Sequence, residues 1–158
     1  MERSSELEDL VRAWFDAASS GDASLVERHV SPGDGTRLIG SDPEERFSGG
    51  GAVAEFLRGE VEGAGGAANF APSETEAFSE CTAGWATTSV TITMPDGKHV
   101  SPRWSAVFHR ENDDWKFVQT HASIGVPNEE IGWDIRTDRP RPDSARAGPS
   151  PGRRWGPR

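Results

Sequence analysis

Two hydrophobic periods divide this chain, one near 3.6 residues up to the glycines before Gly66 and one of two residues from Ala68 onward. Leu7, Leu10, Val11, Trp14, Phe15 and Ala18 fall on one stripe of a helix behind the capping pair Ser4-Ser5. Gly21 ends that helix, and Asp22 is expected to cap a short second one through Ala23, Leu25, Val26 and Val30, stopped by Pro32 and Gly33. Thr36 to Gly40 predicts a short strand, broken at Ser41-Asp42-Pro43 because proline has no N–H to give a ladder. After Gly49-Gly50-Gly51, the spacing of Ala52, Val53, Phe56, Leu57 and Val61 predicts a third helix, which the glycines from Gly59 to Gly66 are expected to terminate.

Beyond Ala68, alternating Thr, Phe, Val and Ile predict long strands over 68–79, 83–94, 101–110 and 115–124, the middle pair joined by Pro95-Asp96-Gly97. The closing hairpin, Val100 to Pro127, is the most patterned part. Trp104, Ala106 and Phe108 share one face of its first strand, with Arg103, Ser105 and His109 opposite. Arg110 to Asp114 make the turn. Strict alternation then puts Val118, Thr120, Ala122 and Ile124 on one face of the returning strand and Trp115, Phe117, Gln119, His121 and Ser123 on the other. Three helices and a short strand followed by four long antiparallel strands give an α+β class, the helices lying on one face of a curved sheet.

With 158 residues, this pattern implies one domain, residues 1–135, and a Pro/Arg/Gly-rich tail, 136–158, expected to be disordered. Hydrophobic residues make up 34%, so six Trp and seven Phe must carry much of the buried area. The net charge of −9 is uneven, because the tail holds seven Arg against two acids and the body ten basic residues against 24 acids. A body at −14 is a poor partner for nucleic acid or an anionic membrane. The one cysteine, Cys81, rules out an internal disulfide and is expected as a small core or strand residue. There is no apolar run long enough to span a bilayer, no apolar signal core, and no glycine-rich phosphate loop, and no His and acid cluster at metal-ligand spacing. A cytoplasmic protein without metal or other cofactor is expected.

The Gly21-Asp22 pair between the first helices, LIGSDP from Leu38 to Pro43, and WKFVQTHASIG from Trp115 to Gly125 together resemble the nuclear transport factor 2 superfamily, and within it SnoaL-like domains. The hairpin is also similar to that of the calcium/calmodulin-dependent kinase association domain, with Val107-Phe108-His109-Arg110, Asp113, Trp115, His121, Ser123 and Gly125 in order. The resemblance implies a cone: a strongly curved antiparallel sheet wrapped around the three N-terminal helices, enclosing a pocket. Superfamily members range from isomerases, cyclases and hydrolases to binding and assembly modules, so the fold leaves function open.

Ketosteroid isomerases of this kind use a helix Tyr and a strand acid as oxyanion hole, with an Asp beside the short strand as base. Here Trp14 and Trp104 stand at the first two positions and Asp42 at the third. An indole donates one N–H and has no proton to give at neutral pH, which counts against enolate chemistry. Asp42 is thus a candidate base or, alternatively, a turn residue ahead of Pro43. His121 is the other candidate, in the cavity or on the convex face according to strand parity. Positions matching the kinase association domain's pocket arginines are Ala106 and Ala122, which disfavours a carboxylate ligand. The expected lining is Trp14, Phe15, Ile39, Phe47, Phe56, Trp104, and Trp85 or Val90, with Ala122 and Ile124 from the last strand. The leading expectation is a pocket for a small apolar or aromatic molecule. Two alternatives stand beside it: an acid/base isomerase, cyclase or hydratase of a polyketide- or steroid-like compound with Asp42 as base, and a noncatalytic assembly module forming a homodimer through the convex sheet face.

Overall fold

A computed structural model describes residues 1–65, 67–128 and 130–132; the fold below is that of Met1–Gly125, and the tail expected over 136–158 lies outside the described residues. The chain opens with a two-residue strand, β1 (Glu2–Arg3), and the first helix, α1 (Ser5–Ser20). The Ser4 hydroxyl accepts from the Leu7 N–H at 3.3 Å, satisfying one of the free donors of the first turn. Gly21 closes α1 with φ 76°, a left-handed cap that favours glycine. Asp22 does not cap α2 (Ser24–His29) as expected: the cap position is Ala23, and Asp22 Oδ1 accepts from the Ser24 N–H at 2.9 Å in the turn just before it.

A hairpin follows, β2 (Arg37–Ile39) and β3 (Arg46–Ser48), of which the sequence reading anticipated only the first strand. Three-residue strands are too short for a period to show. The third helix, α3 (Gly50–Ala64), ends at Gly65 within the expected run of glycines, after passing through Gly59 and Gly63, where a side chain would meet only open space. Four long elements complete the fold: β4 (Asn69–Glu80), β5 (Ala83–Thr93), then after the short β6 (His99–Val100) the strands β7 (Arg103–Glu111) and β8 (Asp114–Ser123). Cys81 is exposed in the β4–β5 turn at φ 54°, not in a core or strand position.

Among the described residues the strands form one curled sheet in the order β1-β4-β5-β7-β8-β2-β3, with β6 paired to β5. All neighbours are antiparallel except β2 and β8, where Leu38 pairs with Thr120 in parallel. Two bulges shape the sheet. In β4 the register shifts between Ser73 and Glu76, with Glu74 at φ 51° and the Thr88 hydroxyl donating to the Ser73 carbonyl at 2.7 Å. In β8, Val107 pairs with Gln119 but Phe108 pairs with Phe117, so Val118 is the extra residue. Strict alternation fails there. Trp115 and Phe117 are buried on the same side as Thr120 and Ala122, and the expected grouping of those two aromatics with His121 is corrected by the bulge.

The helices cover the concave side. Leu7 and Val11 of α1 are fully buried, and a Cβ at Gly84 of β5 would lie 2.5 Å from Leu7 Cδ1. The inward row of β5 is therefore small where the helix presses, with Gly84 and Ala86, and larger beyond it at Val90. A chain of aromatic contacts joins helix to sheet: Trp14–Phe117 at 4.7 Å, Phe117–Phe108 at 4.6 Å and Phe15–Trp104 at 5.3 Å between centroids. Each such pair contributes ~0.5–1.5 kcal/mol beyond its buried area.

Candidate functional site

Where α1, α3 and the wide end of the sheet diverge, the aromatic core opens into a cavity of about 210 Å³. Trp14 and Phe15 come from α1, Phe56 and Val61 from α3, Val90 and Ile92 from β5, Trp104 from β7, and Thr120 and Ala122 from β8. Leu38 and Ile39 close one side, since the parallel β2–β8 pairing sets them beside Thr120 and His121. The walls are thus apolar and mostly aromatic.

Polar groups in the lining are few. The Thr120 side chain belongs to a residue only 6% exposed, and among the described residues its hydroxyl has no protein partner. The same holds for the indole N–H groups of Trp14 and Trp104, whereas Trp115 Nε1 donates to Glu6 Oε2 at 3.0 Å. At the mouth stand two carboxylates, Glu45 and Glu60. Glu45 lies across Gly40: its Oε2 accepts from the Asp42 N–H at 3.1 Å, and a Cβ on Gly40 would sit 2.0 Å from that oxygen. Among the described residues no Lys, Arg or His lines the cavity.

Asp42, the candidate base, is not part of this lining. It is exposed in the β2–β3 turn, where its Oδ1 accepts from the Glu44 N–H at 2.9 Å and its carbonyl from the Glu45 N–H at 3.1 Å. From this turn the carboxylate that reaches the cavity is Glu45, three residues on, placed beside the Glu60 of α3 in the lining by a hairpin that sequence periodicity does not reveal. His121 stands on the outer face with Ser105, its cross-strand partner, beside Glu74, Glu76 and Arg103. Among the described residues no group of three His, Cys, Asp or Glu side chains is placed to hold a metal ion.

Of the expected lining, Trp14, Phe15, Ile39, Phe56, Trp104 and Ala122 meet at the cavity, as does Val90. Phe47, Trp85 and Ile124 do not. Phe47 stacks behind Phe56 at 4.3 Å. Trp85 points outward and stacks on Phe78 at 6.3 Å, because the inward place beside it is taken by Gly84 under Leu7. Ile124 lies past the end of β8 and is 51% exposed. Leu38, Phe70, Ile92 and Pro102 were missed. Alternation around Val90 could have found Ile92; the others depend on which strands become neighbours.

A family model described as a SnoaL-like domain matches residues 7–127. Among solved structures, the chain is similar to an NTF2-like protein of unknown function from Pseudomonas putida, with 16% identity, TM-score 0.69, and coverage of 80% of this chain and 89% of that one. It is also similar to a protein provisionally named a ketosteroid isomerase from Parabacteroides distasonis, with 17% identity, TM-score 0.61, and coverage of 77% of this chain and 86% of that one. A protein provisionally named a calcium/calmodulin dependent protein kinase II association domain, from Xanthomonas campestris, aligns at 14% identity with TM-score 0.58 over 79% of this chain and 95% of that one. At such identities the likeness is one of fold. No curated protein matches the chain.

Proposed function

This chain belongs to the SnoaL-like domain family, and on that footing we propose that it is a pocket protein for a small apolar or aromatic molecule. One observation carries this proposal: the fold leaves a cavity of about 210 Å³ walled by Trp14, Phe15, Phe56 and Trp104, with Thr120, 6% exposed and without a side-chain partner among the described residues, on its wall. An apolar cavity of ~150 Å³ already suffices to bind benzene. Pockets for larger ligands run to ~300–1,000 Å³, which favours a one- or two-ring occupant over a steroid. An acid/base isomerase or cyclase would need a base facing the reacting carbon. Asp42 is turned to the Glu44 backbone instead, which counts against it as that base.

Native mass spectrometry of the purified protein tests the proposal together with thermal shift against one- and two-ring aromatics. A co-purified compound or a saturable rise in Tm supports it; at a hundredfold excess over Kd the expected stabilisation is ~2.7 kcal/mol. No bound compound and no shift with any aromatic would remove it. An Asp42→Asn variant is expected to bind as the parent does.

We also infer self-association through the outer face of the sheet, where Phe78, Trp85 and Val107 lie together across three strands and Val107 is 38% exposed. No helix among the described residues is long and apolar enough to cross a membrane. A cytoplasmic location suits the single free Cys81, which a reducing compartment leaves unpaired.

A further inference from the structure

Resting on the pocket binding proposed above, we infer that the occupant carries a protonated amine, its ring body among the aromatic walls and its cationic head at Glu45 and Glu60. Both carboxylates line the mouth, and among the described residues neither is ion-paired. Glu45 is a positioned group. Its oxygen is seated over Gly40, where any side chain would displace it, and held by the Asp42 N–H. With no cation in the lining among the described residues, a bound carboxylate would face two like charges, while an ammonium would face two opposite ones. A net charge of −9 on the chain adds to that bias, and a cleft lined by one sign of charge concentrates the opposite one.

The walls agree with the mouth. Trp and Phe faces attract cations as well as rings, so the aromatic lining does not oppose entry of an ammonium group. Thr120 supplies an independent sign that the cavity is built for an occupant, being over nine-tenths buried, on the lining, and without a side-chain hydrogen-bond partner among the described residues.

Three probes of one skeleton test this: 1-naphthylmethylamine, 1-naphthalenemethanol and 1-naphthoic acid, titrated calorimetrically into the full chain at low and at high salt. The amine is expected to bind about tenfold tighter than the alcohol, with the acid weakest, and added salt should narrow that gap. The double variant Glu45→Gln, Glu60→Gln should abolish the amine's advantage over the alcohol and the salt dependence of that advantage. Equal affinity for amine and alcohol, or preference for the acid, overturns the inference while the pocket proposal stands. Binding of none of the three overturns both.

Discussion

Gly21 has two independent reasons to lack a side chain. Its φ of 76° is left-handed, and a Cβ there would lie 2.8 Å from the Gly65 backbone, where the ends of α1 and α3 meet. Gly21→Ala should therefore cost at least ~2 kcal/mol, the left-handed penalty plus the strain of parting two helix ends. Gly59→Ala, in the open interior of α3, should instead gain ~0.5–1 kcal/mol, because alanine restricts the unfolded chain at no steric cost. Urea unfolding of the two variants checks both signs, and a neutral Gly21→Ala would mean that the helix ends do not touch. Asp22 offers a pH-dependent case. The Ser24 backbone N–H, and after it the Ser24 hydroxyl, hold its carboxyl below its ordinary 3.8. A group lowered in the folded state stabilises above its unfolded value and loses that effect as pH falls through the folded one. Asp22→Ala should thus be destabilised at neutral pH, and its gap from the parent should close in acid below 3.8.

The β7–β8 hairpin shows how one element can be legible in kind and hidden in detail. Its two strands could be read from period alone, as could α1, because many positions repeat one rule. Val118 could not, since a bulge is chosen by how Phe117 and Phe108 meet across the pair. For the same reason Trp85 misled: alternation leaves open which face is inside, and the pressure of Leu7 on Gly84 decides it. The site was legible to the same degree. Its aromatic walls lie on periodic elements, whereas Glu45 reaches it through a turn whose second strand, Arg46–Ser48, is too short to announce itself. The bulge is testable by length. Deleting Val118 would force either Trp115 and Phe117 or Thr120 and Ala122 out of the core, and should abolish the near-ultraviolet circular dichroism of a packed fold. Val118→Ala keeps the register and should cost less than ~1.5 kcal/mol. A folded deletion variant would show that the register is not pinned there.

At the scale of the whole molecule, the concave side is filled by helices and the outer face of the sheet is left to solvent or to a partner. Phe78 and Trp85 stack there, Val107 extends the row, and a polar hollow holds Glu74 and Glu76 beside Arg103 and His121. In a twofold pair the same patch meets itself, so the acids of one copy can face the bases of the other while the aromatic rows cover each other. Acting against this is the charge: each chain carries −9, and two such bodies repel. The balance predicts a particular salt response. Screening weakens the long-range repulsion and leaves apolar burial intact, so moderate salt should strengthen the dimer rather than dissolve it. Sedimentation equilibrium across a salt series should show that rise, and Trp85→Lys, which sets an unpaired charge in the middle of the patch, should leave a monomer of unchanged fold by circular dichroism. A parent that stays monomeric at high concentration and high salt would leave the outer face without a partner of its own kind. A dimer insensitive to Trp85→Lys would place the contact elsewhere on the surface.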